Sequence, residues 1–376
     1  MSNLKIDTPQ IRKLNREQVF NYIKDNDWVT QADVKDFTGL SRPTIANILQ
    51  ELEEKNLISK RKNEEKTGGR MSMAFACNKN ARYAIGIQLT NLHIKAVAVN
   101  MQGEILAQKQ TEKKLHVDES YRRAIGDIYA EVVKEARIDE SLILGCGITV
   151  QALTDVEGTR VSYVVTPDKE RIYMEGLADY IPCKTRLFHD LNALGWNSAL
   201  WTKKNEFYLS INNRIGSTIL VDGNIYTGDH NRAGEIGHML LVPNGKKCYC
   251  GNCGCFDAYC NTDNIKVLGD GDISTFFKKL DDGNKECEEF WEEYKQRLTD
   301  AIFGIHVTFD GTILIGGEIA QYRGYYYNEV CDALDKKAFF PEDRAREYLK
   351  VVEQGDSAIA VGAALYFIRN ILDTFD

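Results

Sequence analysis

Five of the chain's ten cysteines fall between residues 248 and 260, and a histidine stands upstream of them. The order is His238, nine residues, Cys248-Tyr249-Cys250, four residues, Cys255. One imidazole and three thiolates make a soft donor set that suits a tetrahedral structural zinc ion. Gly245, Gly251 and Gly254 let the backbone fold tightly around so small a centre. The alternative is a group of buried reduced thiols, with Cys253 and Cys260 as ordinary members. A metal closed on His238, Cys248, Cys250 and Cys255 contributes to folding rather than to chemistry.

Gly234-Glu235-Ile236-Gly237-His238 sets a carboxylate three residues before the expected ligand. Residues three apart on a helical turn share a face, so a metal that fixes His238 also fixes where Glu235 points. A carboxylate and an imidazole edge held in this way can grip a polyhydroxylated small molecule. The plainer alternative for Glu235 is a solvent-facing side chain.

The elements that must position these groups exceed one ordinary core: 376 residues imply two or three domains. No run of about 18 apolar residues occurs, so no membrane span is expected. Met1-Ser2-Asn3-Leu4-Lys5 lacks the apolar segment of a secretory signal. Cysteines at metal spacing without such a signal point to a reducing cytoplasm. The net charge of −8 is unevenly spread. Residues 1–76 carry 13 Lys/Arg against 11 Asp/Glu, and the remainder 34 against 44. A mildly basic head on an acidic body fits nucleic-acid binding by the head.

The head reads as a helix-turn-helix. A first helix spans about Pro9 to Asp25, with Leu14, Val19, Phe20 and Ile23 facing inward. Thr30 caps a second short helix, Gly39 makes the turn, and Ser41 caps a third helix with Pro43 in its first turn. Ile45, Ile48, Leu49 and Leu52 form one buried stripe, leaving Arg42, Thr44, Asn47 and Gln50 outside. That outer face is expected to read the major groove. Leu57–Lys62 and Met71–Phe75 pair as a wing: Lys60 and Arg61 meet phosphates, and Arg70 at the tip enters a narrow minor groove. The alternative is a three-helix protein-interaction module with a solvated hairpin.

After Asn78 the pattern changes. Strands at 83–89, 93–99 and 105–109 form a meander, and strands at 207–211, 217–221 and 224–226 repeat it with Asp222-Gly223 as the hairpin turn. Helices are expected near 118–137, 192–202, 284–306 and 356–373. Two copies of one unit imply two α/β lobes with a ligand cleft between them. The expected division is a winged helix-turn-helix at 1–76, a first lobe at 77–191 plus 364–376, and a second lobe at 192–363 carrying the zinc loop 238–255. Tyr322, Tyr325, Tyr326 and Tyr327 read as core or subunit interface, and the Glu-rich stretch 286–293 as a solvated helix face.

Together these residues resemble the ROK family of repressors and sugar kinases, above all its full-length repressors. The resemblance covers nearly the whole chain. Its specific pieces are Glu235-x-Gly237-His238 with Cys248-x-Cys250-Gly251-x-x-Gly254-Cys255, and Leu187-Phe188-His189-Asp190-Leu191-Asn192-Ala193. It implies a winged helix joined to a two-lobed actin/hexokinase-like, ribonuclease H-like body. By the resemblance His238, Cys248, Cys250 and Cys255 hold zinc, Asp190 takes the place of the kinase general base, and Glu235 and His238 face sugar hydroxyls. Asn192 and Asp257 complete the sugar set, Asp257 in place of the usual glutamate.

The departures weigh against catalysis. Family kinases open the first meander with Asp-x-Gly-Gly-Thr and the second with Gly-Thr-Gly. Here the stretches are Gln88-Leu89-Thr90-Asn91-Leu92 and Asn212-Asn213-Arg214. Backbone cradles for phosphate need glycine, and only Gly316-Gly317 and Gly362 remain. The expectation is a cytoplasmic, non-enzymatic repressor of carbohydrate genes, binding operator DNA as a homodimer or homotetramer and sensing a sugar in the interlobe cleft. The alternatives are an ATP-dependent sugar kinase with a DNA-binding head, and a repressor controlled by a protein partner with a vestigial cleft.

Overall fold

The computed structural model describes residues 8–62, 72–161, 164–165, 171–199, 204–353 and 355–372. The head runs α1 (Thr8–Lys24), β1 (Val29–Thr30), α2 (Gln31–Thr38), α3 (Arg42–Glu54), β2 (Ile58–Lys62) and β3 (Met73–Cys77). Local chemistry sets these boundaries. Thr30 and Asp33 form a reciprocal capping box, Gly39 ends α2 at φ 70°, and the Ser41 hydroxyl accepts the Thr44 N–H ahead of α3. The central strand β3 pairs antiparallel with both β1 and β2. Val19, Phe20, Ile23, Val34, Ile45, Ile48, Leu49 and Leu52 are buried, while Leu14 is 54% exposed. Leu14 therefore does not face inward. At about 100° per residue it lies roughly 180° around α1 from Ile23. The wing tip, including Arg70, lies outside the described residues.

Next come β4 (Tyr83–Leu89), β5 (His93–Asn100), β6 (Ile105–Glu112), α4 (Glu119–Ala136), β7 (Ile143–Val150), a small ribbon of β8 (Val164–Val165) and β9 (Arg171–Ile172), and β10 (Thr185–His189). One sheet has the order β10-β7-β4-β5-β6, an antiparallel meander with β7 added parallel to β4. Helix α4, capped by Asp118, covers β5 and β6.

The remaining elements are α5 (Asp190–Ala199), β11 (Glu206–Ile211), β12 (Ile215–Val221), β13 (Asn224–Ile225), α6 (Asp257–Cys260), α7 (Thr262–Leu268), α8 (Ile273–Asp281), α9 (Lys285–Phe309), β14 (Thr312–Gly316), α10 (Tyr327–Lys337), α11 (Ala345–Tyr348), β15 (Leu349–Val351) and α12 (Ala358–Arg369). The second sheet, β13-β12-β11-β14-β15, is again an antiparallel meander extended by parallel strands. On β11, Phe207, Leu209 and Ile211 join a core with Leu298, Ile302 and Ile305 of α9. Tyr208, pointing the other way as strand alternation requires, packs with Leu191 and Leu194 of α5. Tyr326 is buried and Tyr322 stacks on Phe277 at 4.4 Å, which places the tyrosine cluster in the core.

Packing divides the chain into two compact units. One comprises Met1–Thr149, Glu175–Arg186 and Ala363–Asp376, so the winged head and the first sheet fall in the same unit; the other comprises Val150–Met174 and Leu187–Gly362. All ten cysteines are unpaired. Among the described residues no helix is long and apolar enough to cross a membrane.

Candidate metal centre and nucleic-acid interface

The cysteine loop is a compact knot in which Leu240 bridges to Cys255 and Lys247 to Cys253. Gly254 is obligatory there: its φ is 85°, and a Cβ would lie 1.8 Å from the Val242 carbonyl oxygen. The knot brings together the four residues expected from sequence. One donor atom each of His238, Cys248, Cys250 and Cys255 lies within 4.8 Å of all the others. Cys250 Sγ is 3.8 Å from Cys255 Sγ, and Cys248 Sγ is 3.8 Å from His238 Nδ1. A tetrahedron with Zn–S bonds of about 2.3 Å requires sulfurs about 3.8 Å apart, so the donors are already at metal spacing. Burial, with Cys250 and Cys248 alongside, pushes the Cys255 thiol up to about 12. Three thiolates this close need a cation to neutralise them. Cys253 is exposed, and Cys260 is buried with its sulfur 3.7 Å from the Tyr294 carbonyl, so neither joins the set.

Nδ1 of His238 faces the sulfurs, and Nε2 lies 3.1 Å from the Tyr249 hydroxyl. Such a contact fixes ring orientation in metal sites. Tyr249 thus holds the imidazole edge expected to meet a ligand hydroxyl, and the Arg214 guanidinium lies 4.4 Å from its ring centre. In the sequence, Tyr249 stands as no more than the spacer between two cysteines.

Glu235 precedes a 3-10 turn, Ile236–His238, and its side chain is exposed. With His238, Phe207, Ile219 and Met239 it lines a cavity of about 340 Å³. Asp190 opens α5, accepts the Leu191 N–H at 2.8 Å and lies 3.5 Å from His189 Nε2. Asn192 accepts the Thr218 hydroxyl at 3.3 Å. Asp257 accepts the Ile215 N–H at 2.7 Å and an Asn261 amide N–H at 3.3 Å, and burial raises its pKa. Both its oxygens are therefore engaged by the protein. Strand β12 ties the set together from two sides. The Ser217 hydroxyl donates to Gly234 O at 2.8 Å, whereas the neighbouring Thr218 bonds Asn192. Consecutive strand residues point to opposite faces. Helix α5 accordingly meets β12 through Asn192 on one face, and the Gly234–Gly237 turn meets it on the other.

The stretches that depart from phosphate-binding glycines are filled by side chains. Asn212 accepts the Glu318 N–H at 2.7 Å. The Glu318 carboxylate accepts from Lys266 Nζ and from the Thr262 hydroxyl, each at 2.7 Å, and Lys266 also donates to Asn213 Oδ1 at 2.9 Å. In the first sheet, Thr90 closes a tight turn on His93 through both N–H and hydroxyl. None of Thr262, Lys266 or Glu318 stood out in the sequence, because their partners lie about 50 residues away or more.

On the head, Arg42, Asn47 and Gln50 are exposed along α3, and Thr44, half-buried, shares a 2.8 Å hydrogen bond with Ser41. Lys60 pairs with Glu53 of α3. The Arg61 guanidinium lies 4.1 Å from the Trp28 ring centre, a cation–π seat that sequence reasoning missed.

Comparison with known proteins follows the same division. A MarR family model matches residues 18–69, and the ROK family model matches residues 84–370. A xylose repressor of Bacillus spizizenii is 25% identical over 257 residues, 66% of this chain and 66% of the relative's own length. A solved ROK family transcriptional regulator, described as a homolog of the E. coli MLC protein, superposes over 97% of this chain and 98% of its own. Its TM-score is 0.78 at 22% identity. A ROK hexokinase from Thermus thermophilus covers 77% of this chain and 99% of its own, with TM-score 0.64 at 19% identity. A winged head precedes a body matched along most of its length, and the chain belongs to the ROK family.

Proposed function

We propose that this protein is a DNA-binding transcriptional repressor of carbohydrate-metabolism genes whose body senses a sugar or sugar derivative and no longer transfers phosphate. The observation that carries the reading is a capped recognition helix, with Arg42 and Asn47 exposed, in one chain with a ROK body whose second phosphate loop is filled by Asn212, Asn213, Lys266 and Glu318. Phosphoryl transfer depends on backbone cradles that hold the phosphates, and side chains take that space here. Arg42, Thr44 and Asn47 face base edges, while Lys60, Arg61 and Arg70 serve the phosphates and the minor groove. A homodimer or homotetramer on a pseudo-palindromic operator follows from paired winged heads.

In this reading His238, Cys248, Cys250 and Cys255 hold a structural zinc ion, which when bound neutralises the thiolates and locks the loop. Asp190, Asn192 and Glu235 supply the hydroxyl-binding groups, with Asp257 holding the start of β12 behind them. A ligand regulates only through unequal affinity for two arrangements of the protein.

The test is selection of duplexes from a random pool by the full chain, then titration of the complex with D-xylose and a panel of other monosaccharides. One sugar should change DNA affinity and raise the melting temperature, and Asp190→Asn or Glu235→Gln should abolish both effects. Steady phosphorylation of a sugar by ATP and magnesium, lost in Asp190→Asn, would replace this reading with the kinase. A stoichiometric protein partner, with no response to any sugar, would replace it with partner control.

A further inference from the structure

Arg16 is a buried cation in the middle of α1, only 3% exposed. One guanidinium nitrogen donates to Glu51 on α3 at 2.8 Å, and the other lies 3.3 Å from the carbonyl of Leu372, in the turn after α12. Arg12, one turn earlier, reaches the same Glu51 at 3.6 Å but is largely exposed. Glu17 on α1 is within electrostatic reach of Arg369 at the end of α12. Carbonyls at a helix C-terminus lack intrahelical partners and attract cations, which suits a guanidinium to this place.

In its N-terminal half α12 comes close to α5. A Cβ on Gly362 would lie 1.8 Å from the carbonyl oxygen of Ala193, on the helix that opens with Asp190 and carries Asn192. From Gly362 to Leu372 is ten residues, about 15 Å of rise. We propose that Arg16 is a positioning residue that ties the C-terminal end of α12 to the recognition helix, so that a shift of α12 at Gly362 alters the seat of α3 on DNA. A planar guanidinium reaches the two partners with separate nitrogens held in a fixed fork, a geometry that the flexible, single-headed ammonium of a lysine does not reproduce. The inference rests on the DNA-binding reading above.

A double-mutant cycle tests it in the full chain, using a duplex selected by the wild type from a random pool. Gly362→Ala should change affinity for that duplex about fivefold or more, in the range of ordinary couplings between sites. In an Arg16→Lys background the same substitution should change it less than about twofold, although Arg16→Lys alone still binds the duplex. Equal effects in both backgrounds, or no effect of Gly362→Ala in a folded protein, overturn the proposal. Amide exchange covers the case in which Gly362→Ala fails to fold, and it needs no DNA. Arg16→Lys should speed exchange both in residues 42–54 and in residues 366–372, and acceleration in neither or in only one of these segments overturns the link. If the wild type selects no duplex, the DNA-binding reading fails, while exchange still decides whether Arg16 joins the two segments.

Discussion

Glu318→Ala is the most direct probe of the proposal that side chains fill the second phosphate loop. The substitution removes the acceptor for Lys266 Nζ and the Thr262 hydroxyl and leaves Lys266 with Asn213 Oδ1. Buried hydrogen bonds to a charged group contribute about 1.5–3 kcal/mol each. The Glu318 and Lys266 side chains are 30% and 24% exposed, so solvent screening reduces the sum. We expect a loss of about 1–2 kcal/mol. For a unit of this size that is a fall of roughly 2–8 °C in Tm. The variant also leaves a lysine and a hydroxyl facing the space the carboxylate held, a pair that suits an anion. Inorganic phosphate at about ten times its Kd should then stabilise the variant by about 1.4 kcal/mol. The assay is a melt of wild type and variant in phosphate against chloride at matched ionic strength, since phosphate stabilises most proteins slightly by exclusion. An equal phosphate effect on both proteins, or a variant as stable as the wild type, would refute the idea that Glu318 fills an anion position.

Native mass spectrometry should find one zinc per chain, lost in Cys250→Ser together with a lowered Tm; a metal-free wild type whose melting ignores chelators would dismiss the centre. Asn47→Ala or Arg42→Ala should relax preference at individual base positions by about 1–3 kcal/mol in a selection assay, and unchanged preferences in both would remove α3 from the groove. Lys60→Ala should weaken binding to all duplexes and flatten the logarithmic salt slope by about 0.9, and an unchanged slope would take that side chain off the phosphates. Lys24 on α1 is held below its ordinary 10.5 by burial, against the opposing pull of Asp25 and Cys77. A lysine depressed in the folded state contributes stability that is present above 10.5 and lost as pH falls through its folded value. Lys24→Met should therefore raise Tm at pH 7, with an advantage that shrinks as pH climbs toward 10.5; a pH-independent difference would count against the burial argument.

Local signals made the head readable. Thr30 with Asp33, Gly39, and Ser41 ahead of Pro43 each act within four residues, and each forms the cap or turn its chemistry implies. The repeated meander was legible for a similar reason, since Asp222-Gly223 takes positive φ at both positions as a tight hairpin demands. Leu14 misled because an apolar side chain was counted without its angle around the helix. The parallel strands β7, β14 and β15 went unread, as their partners are remote in sequence and no turn announces them. The cysteine spacing picked out the four residues whose donor atoms the loop gathers, but Tyr249 and Arg214 emerge only when the loop is closed. Arg16 could not have been singled out at all, for one of its partners lies 356 residues away.

The interlocked loop around Glu318 also bears on history. Asn212, Asn213, Lys266 and Glu318 hold one another, so returning Asn212 to glycine removes its bond to Glu318 before it opens room for a phosphate. Under the reading proposed above, a chain that enters this arrangement keeps to regulation, because no single substitution reopens the cradle.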